Sequence, residues 1–381
     1  MRGESDKQSV FLVFSTDLDS RVRPDHPLRA IKRMADEHLR KMSRRFDAAY
    51  SKEGRPSVPP ERLIKAMLLQ AIYSIRSEAQ LVERIDFDLL FRWFLDMRID
   101  EEVFDATVFS HNRGRLEKHN LIAEFFDQTV RRAIALGLVS DEHFSVDGSL
   151  IEAHASIKSF KDKNKTDDDS DINGFKSRNA EVDFHGQKRS NATHESTTDP
   201  DAKLFRKGKG QPALLAHALH AVAENRHGLV LAVQINSPLG NSEPSSALSL
   251  LDRIKKRFKI KPKTVGADKG YDQGPFLRGL ERRRITPHVP VKDGPIGGKD
   301  PRYNAEHAAD IEARKRMRRR QRSTGYSLSQ RCRKKIEEGF GWIKTIGGLA
   351  RTRLIGHRKT SQQAHIAASA FNLIRMRSLA V

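Results

Sequence analysis

Three acidic residues stand where a carboxylate could do chemistry. His143-Phe-Ser-Val-Asp147 alternates, with Phe144 and Val146 on one face of a short strand and Ser145 and Asp147 on the other. Thr264-Val-Gly-Ala-Asp268 reads as a second short strand, and each aspartate runs directly into a turn-forming stretch, Gly148-Ser149 and Lys269-Gly270. Carboxylates at strand ends can converge when the two strands are neighbours. Asp147 and Asp268 are 121 positions apart, so only the fold can unite them. Buried together they would repel, and a divalent cation removes that penalty. Mg²⁺ takes a few carboxylate oxygens plus water and substrate phosphate, which suits a site of two or three acids. Taken singly, each aspartate also reads as the start of a turn.

The third acid is Glu337. In the run from Arg331 to Lys344, Ile336, Phe340 and Ile343 form one apolar helical stripe. Glu337 lies at its edge, roughly 90° from the centre, and Glu338 points away into solvent. Arg333, Glu337 and Lys344 then share a face between core and solvent, with basic neighbours for phosphates. The plainer reading of Glu337 is an ion pair with Arg333 four residues before it.

Residues 26 to 135 read as helices with short breaks. Pro27 suits a first helical position, with Leu28, Ile31, Met34 and Leu39 near helical spacing behind it. Gly54-Arg-Pro-Ser-Val-Pro-Pro60 interrupts the pattern, Leu63, Met67 and Ile72 resume it, and Ser77 with Gln80 marks the start of a third helix. The turn near Ser74 to Arg76 permits a helix-turn-helix with Arg76, Gln80 and Arg84 facing DNA, or a bundle used for packing or dimerisation. From about 140 the order becomes strand, hairpin (216–223 and 229–235), helix (247–258), strand (264–268), strand (285–291) and a long helix from about Ser329 to Thr345. A polar stretch at 158–210 and a basic one at 292–327 read as inserted loops, the first partly mobile. The sum is α/β, a mixed sheet flanked by helices behind an all-α N-terminal region.

Composition points to a partner. The chain has 381 residues and a formal net charge of +21. Residues 251–381 carry 33 Lys and Arg against 11 Asp and Glu, so the whole excess lies in the last third. Such a block attracts polyanions, nucleic acid foremost. A membrane surface fits less well, because the basic residues are dispersed through folded segments. No apolar run approaches the roughly 20 residues of a spanning helix, the start resembles no secretory signal, and lone Cys332 excludes a disulfide framework, so a cytoplasmic protein is expected. Gly297-Gly-Lys299 lacks Walker spacing, so no ATP site is expected. His217 and His220, three apart on a strand, point to opposite faces and argue against a shared metal, while His154, His185 and His194 read as structural or solvated.

These residues resemble the DDE transposases of bacterial insertion sequences, in the insertion-sequence-five group. Gly54-Arg-Pro-Ser-Val-Pro-Pro-Glu61, Arg92-Trp-Phe94 and Phe104-Asp-Ala-Thr-Val-Phe109 look like the family's helical N-terminal region. Val146-Asp-Gly-Ser-Leu-Ile-Glu-Ala-His154 is similar to its first acidic motif, Ser196-Thr-Thr-Asp-Pro-Asp201 to a stretch of its inserted loop, and Gly266-Ala-Asp-Lys-Gly-Tyr-Asp272 to its second motif. Arg333, Glu337 and Lys344 match the third. Gln330 stands where the related signature often has Tyr.

The resemblance implies a helical N-terminal domain over 1–135 and an RNase H-like catalytic domain over 140–381. It also implies that Asp147, Asp268 and Glu337 hold two Mg²⁺ ions, with Mn²⁺ as a substitute, for in-line attack by water and then a DNA 3′-hydroxyl on phosphodiesters. Arg333, Lys344, Lys269, Arg76 and Arg84 would contact double-stranded DNA, and joining two element ends calls for a homo-oligomer. An RNase H-like nuclease and a non-catalytic DNA-binding protein are the alternatives, and inverted repeats flanking the gene would favour transposition.

Overall fold

The computed structural model describes residues 17–51, 53–54, 57–163, 190–206, 212–239, 242–298 and 300–379. His185, Lys299 and the polar run beyond Lys163 lie outside them.

The regular elements among the described residues of the N-terminal region are all helices: α1 (Leu18–Arg21), α2 (Pro27–Lys41), α3 (Ser43–Ala49), α4 (Pro60–Ile72), α5 (Glu78–Phe87), α6 (Leu89–Phe94), α7 (Thr107–Lys118) and α8 (Leu121–Ala135). Pro27 begins α2, where its missing N–H costs nothing, and Leu28, Ile31, Met34 and Leu39 are buried along one face. Ser77 caps α5 by accepting the Gln80 N–H at 3.1 Å.

The mixed sheet is built from β1 (His143–Glu152), β4 (Lys203–Phe205), β5 (Leu214–Glu224), β6 (Val230–Asn236), β7 (Thr264–Gly266) and β8 (Thr286–His288), and β2 (Phe160–Asp162) pairs with β3 (His194–Ser196) beside it. The order is β4-β5-β1-β7-β8, with β6 on the far side of β5. β5 runs antiparallel to β1 and β6, while β1, β7 and β8 are parallel. This is a mixed sheet flanked by helices, as the sequence reading anticipates.

The hairpin of β5 and β6 forms where expected, but the two supposed loops hold more structure. β2, β3 and β4 lie within 158–210. The basic stretch contains α11 (Pro301–Glu306), α12 (Ala308–Arg320) and the start of α13 (Thr324–Cys332). Arginine is a good helix former, and acids from outside the helix hold α12 in place: Arg314 reaches Asp272 at 2.7 Å and Arg316 reaches Glu281 at 2.6 Å. The long C-terminal helix is divided at Arg333, with α14 (Lys334–Thr345) beyond it. Two further helices, α9 (Ser242–Phe258) and α10 (Gly274–Arg282), flank the sheet.

The last helix, α15 (His357–Leu379), packs on α2, α4, α7 and α8 and also on β6 and α14. Ala364, Ala367, Ala368 and Ala370 are buried along it, and such small side chains let the neighbouring elements approach closely. The buried apolar residues of the helical region and of the sheet therefore form one continuous cluster. No helix among the described residues is long and apolar enough to cross a membrane.

Candidate active site

The parallel pairing of β1 with β7 sets the centre. Ser145 lies opposite Gly266, the last paired position, and Asp147 and Asp268 each stand two residues beyond it, near enough for the charge of Asp268 to act on Asp147. The 121-residue separation in sequence is the register offset of two adjacent strands. Alternation puts Ser145, Asp147 and Ser149 on one face of β1, with Phe144 and Val146 buried on the other.

Each aspartate is fixed by the turn behind it. Asp147 Oδ1 accepts the Gly148 N–H at 2.8 Å, and Asp268 Oδ1 accepts the Gly270 N–H at 2.8 Å. The Asp147 side chain is only 17% exposed. Burial pushes its pKa up to about 7, the Gly148 N–H and Arg333 pull against that rise, and the charges of Asp268 and Glu243 add to it. Glu243, in the first turn of α9, is exposed, and partial loss of solvent together with the charge of Asp268 holds it above the usual carboxylate range.

Arg333, between α13 and α14, links the first acid to the third. Its Nη1 lies 3.5 Å from Asp147 Oδ2, and its Nη2 donates to Glu337 Oε1 at 2.8 Å. Lys344, two turns further along α14, reaches the same face of β1, 3.3 Å from Ser149 Oγ. The face shared by Arg333, Glu337 and Lys344 is therefore turned toward the aspartates, and Glu338 is exposed. Glu337 does form the ion pair of its plainer reading. Among the described residues no three His, Cys, Asp or Glu side chains lie close enough to hold one metal ion. The two aspartates, with carboxylate oxygens and mutual repulsion, fit a hard divalent cation, and Arg333 stands between Asp147 and Glu337.

The remaining sequence candidates lie apart from this arrangement. Lys269 pairs with Asp293 at 2.7 Å. Arg76 is exposed at the turn before α5, while Arg84 pairs with Asp88 at 3.3 Å and sits over the Phe91 ring. His217 Nε2 donates to the Asp199 carboxylate at 3.1 Å, and His220 lies toward Gly148, so the two do occupy opposite faces.

Sequence reasoning missed three side chains here. Glu243 carries no pattern beyond an acid at a helix start. Tyr271 is buried with its hydroxyl unbonded, in the field of Asp147, Glu243, Asp268 and Arg333. Asp272 is buried between the Arg314 guanidinium and the Lys292 N–H, so its work is to anchor α12.

Residues 140–373 match the family described as Transposase DDE domain, and residues 16–115 match Transposase domain (DUF772). Among solved structures, the piggyBac transposase synaptic complex with hairpin DNA is 9% identical, covering 93% of this chain and 82% of that one at a TM-score of 0.30. The Mos1 strand transfer complex is 13% identical, with 83% and 86% covered and a TM-score of 0.20. The Mos1 paired end complex with Mg is 13% identical, with 82% and 87% covered and a TM-score of 0.21. Overlap this loose lends nothing to the assignment of individual residues.

Proposed function

The chain belongs to the DDE transposases, matched over most of its length, and from that premise we propose that Asp147, Asp268 and Glu337 are the acids with which it cuts and joins DNA. The observation that supports this reading is the β1–β7 register, in which Asp147 and Asp268 each follow the last paired position by two residues. Divalent cations, Mg²⁺ with Mn²⁺ as a substitute, supply the activation of water or a 3′-hydroxyl and the charge stabilisation of the leaving oxygen.

The protein's own part is to hold and orient. Asp147 and Asp268 present carboxylates from two adjacent strands, a rigid platform that keeps their spacing fixed. Arg333 keeps Glu337 beside them. A guanidinium matches phosphate geometry as well as it matches a carboxylate, so a DNA phosphate that draws Arg333 away frees Glu337 for the acidic pair. Lys344 is a second cation on the same face. The surplus of positive charge in residues 251–381, which include Asp268 and Glu337, favours a polyanion lying across this centre. The helical region over 1–135 then recognises element ends or pairs subunits, and the catalytic region over 140–381 does the chemistry. Holding two ends together requires a homo-oligomer on double-stranded DNA, and the protein works in the cytoplasm, beside that DNA.

The test is a Mg²⁺-dependent cleavage and strand-transfer assay on DNA carrying the element's own ends. Asp268→Asn abolishes both reactions while DNA binding is retained, since a metal ligand is lost and the basic surface is not. Cleavage by that variant at the wild-type rate would sink the assignment. Cleavage without strand transfer by the unaltered protein would point to a nuclease instead.

A further inference from the structure

Glu243 stands across Gly148 from Asp147, although it comes from a different element. α9 packs on β1, and the Glu243 carboxylate rests over Gly148, the residue after Asp147. A Cβ at Gly148 would lie 2.9 Å from Glu243 Oε1 and 3.2 Å from His220 Nδ1, so the absent side chain leaves the carboxylate its place. No lysine, arginine or histidine pairs with Glu243 or with Asp268 among the described residues, in contrast to Glu337, which Arg333 holds at 2.8 Å.

Beside these acids are buried polar atoms without partners. Tyr271 is 1% exposed and its hydroxyl makes no hydrogen bond, although Asp147, Glu243, Asp268 and Arg333 all bear on it. His220 is 1% exposed and both ring nitrogens are unbonded. A buried hydroxyl beside several carboxylates is satisfied when a water, free or bound to a cation, occupies the space between them.

We propose that Glu243 is a further metal-ligating acid of this centre, completing the cation site with Asp147 and Asp268 before DNA arrives. This rests on the reading of the aspartates given above. Bringing a third carboxylate to the pair requires a side-chain rotation in either case. For Glu337 the rotation breaks an ion pair; for Glu243 it breaks none. The competing account is that Glu243 is only a first-turn acid favoured by the α9 dipole. That account predicts a loss of stability on neutralisation and no change in metal affinity.

The experiment is Mn²⁺ binding to the full chain without DNA, followed by the electron paramagnetic resonance of free Mn²⁺ and by the Mn²⁺-induced rise in Tm. Glu243→Gln weakens Mn²⁺ binding about tenfold while the metal-free Tm holds or rises, Glu243→Asp weakens it less, and Glu337→Gln has the smaller effect until DNA is added. An unchanged Mn²⁺ affinity in Glu243→Gln, with Asp268→Asn still losing it, overturns the role of Glu243 and leaves the aspartate reading intact. An unchanged affinity in Asp268→Asn overturns both.

Discussion

At Asp147 the cost of burial exceeds the help of its neighbours, so the carboxyl keeps its proton up to about pH 7 in the folded chain, against 3.8 for the ordinary group. The sign follows from linkage. Below about pH 4 the group is protonated folded or unfolded, and it costs nothing. As pH climbs toward 7 the unfolded chain gives up the proton and the folded chain does not, so stability falls, and above 7 the full cost stands. The expected size is on the order of 2–4 kcal/mol in the metal-free protein. Asp147→Asn should therefore raise the metal-free Tm at pH 8 and leave it nearly unchanged at pH 4, as measured by thermal melts across that range. Because the cation and the proton compete for this carboxylate, Mg²⁺ affinity should rise with pH through about 7 and then level off. A calorimetric titration with no such rise would exclude Asp147 as the titrating ligand.

Elements position the centre through a few close approaches. α10 meets α12 at Gly274, where a Cβ would fall 2.7 Å from the Asp310 Cα, a backbone atom that cannot swing aside. Gly274→Ala should separate these helices and cost about 1–3 kcal/mol or more, read as a fall in Tm with the secondary-structure content retained. Arg314 is what keeps α12 against the turn that follows Asp268, through two hydrogen bonds to the buried Asp272. Arg314→Leu leaves that carboxylate with the Lys292 N–H alone, a loss of about 3–5 kcal/mol by chemical denaturation. The residues that look in sequence like spare positive charge for DNA thus include some whose first task is to hold α12 on the fold.

On the scale of the whole molecule, α15 joins the helical region to the sheet. Asn372, fully buried, accepts the Val230 N–H at 2.9 Å and donates to the Val230 carbonyl at 2.7 Å, closing the edge of β6. Asn372→Leu leaves two backbone groups unbonded, each worth about 1–3 kcal/mol, and should lower the Tm by several degrees. Since one core runs through both regions, the helical region and the sheet should unfold together in that variant. Two separated calorimetric transitions would show that α15 does not couple them. Ser74 adds a smaller tie, donating from the turn before α5 to the Ile346 carbonyl at 2.9 Å.

Local chemistry determined a good part of this protein from the sequence alone. Pro27 and Ser77 mark helix starts because their backbone and side-chain geometry fit only there, and alternation in 143–147 fixes which side chains share a face with Asp147. The motifs around Asp147, Asp268 and Glu337, with the positive charge of the last third, already pointed to metal-dependent chemistry on DNA. The tertiary structure decided the rest, because nothing in a single segment states its neighbour. Only the parallel pairing of β1 with β7 brings Asp147 and Asp268, 121 residues apart, to the ends of two adjacent strands. The basic stretch is helical because distant acids such as Asp272 and Glu281 pair with its arginines, and Glu243 meets the centre because α9 folds back across Gly148. Periodicity reports what one element needs to bury, and strand pairing and packing decide what meets it.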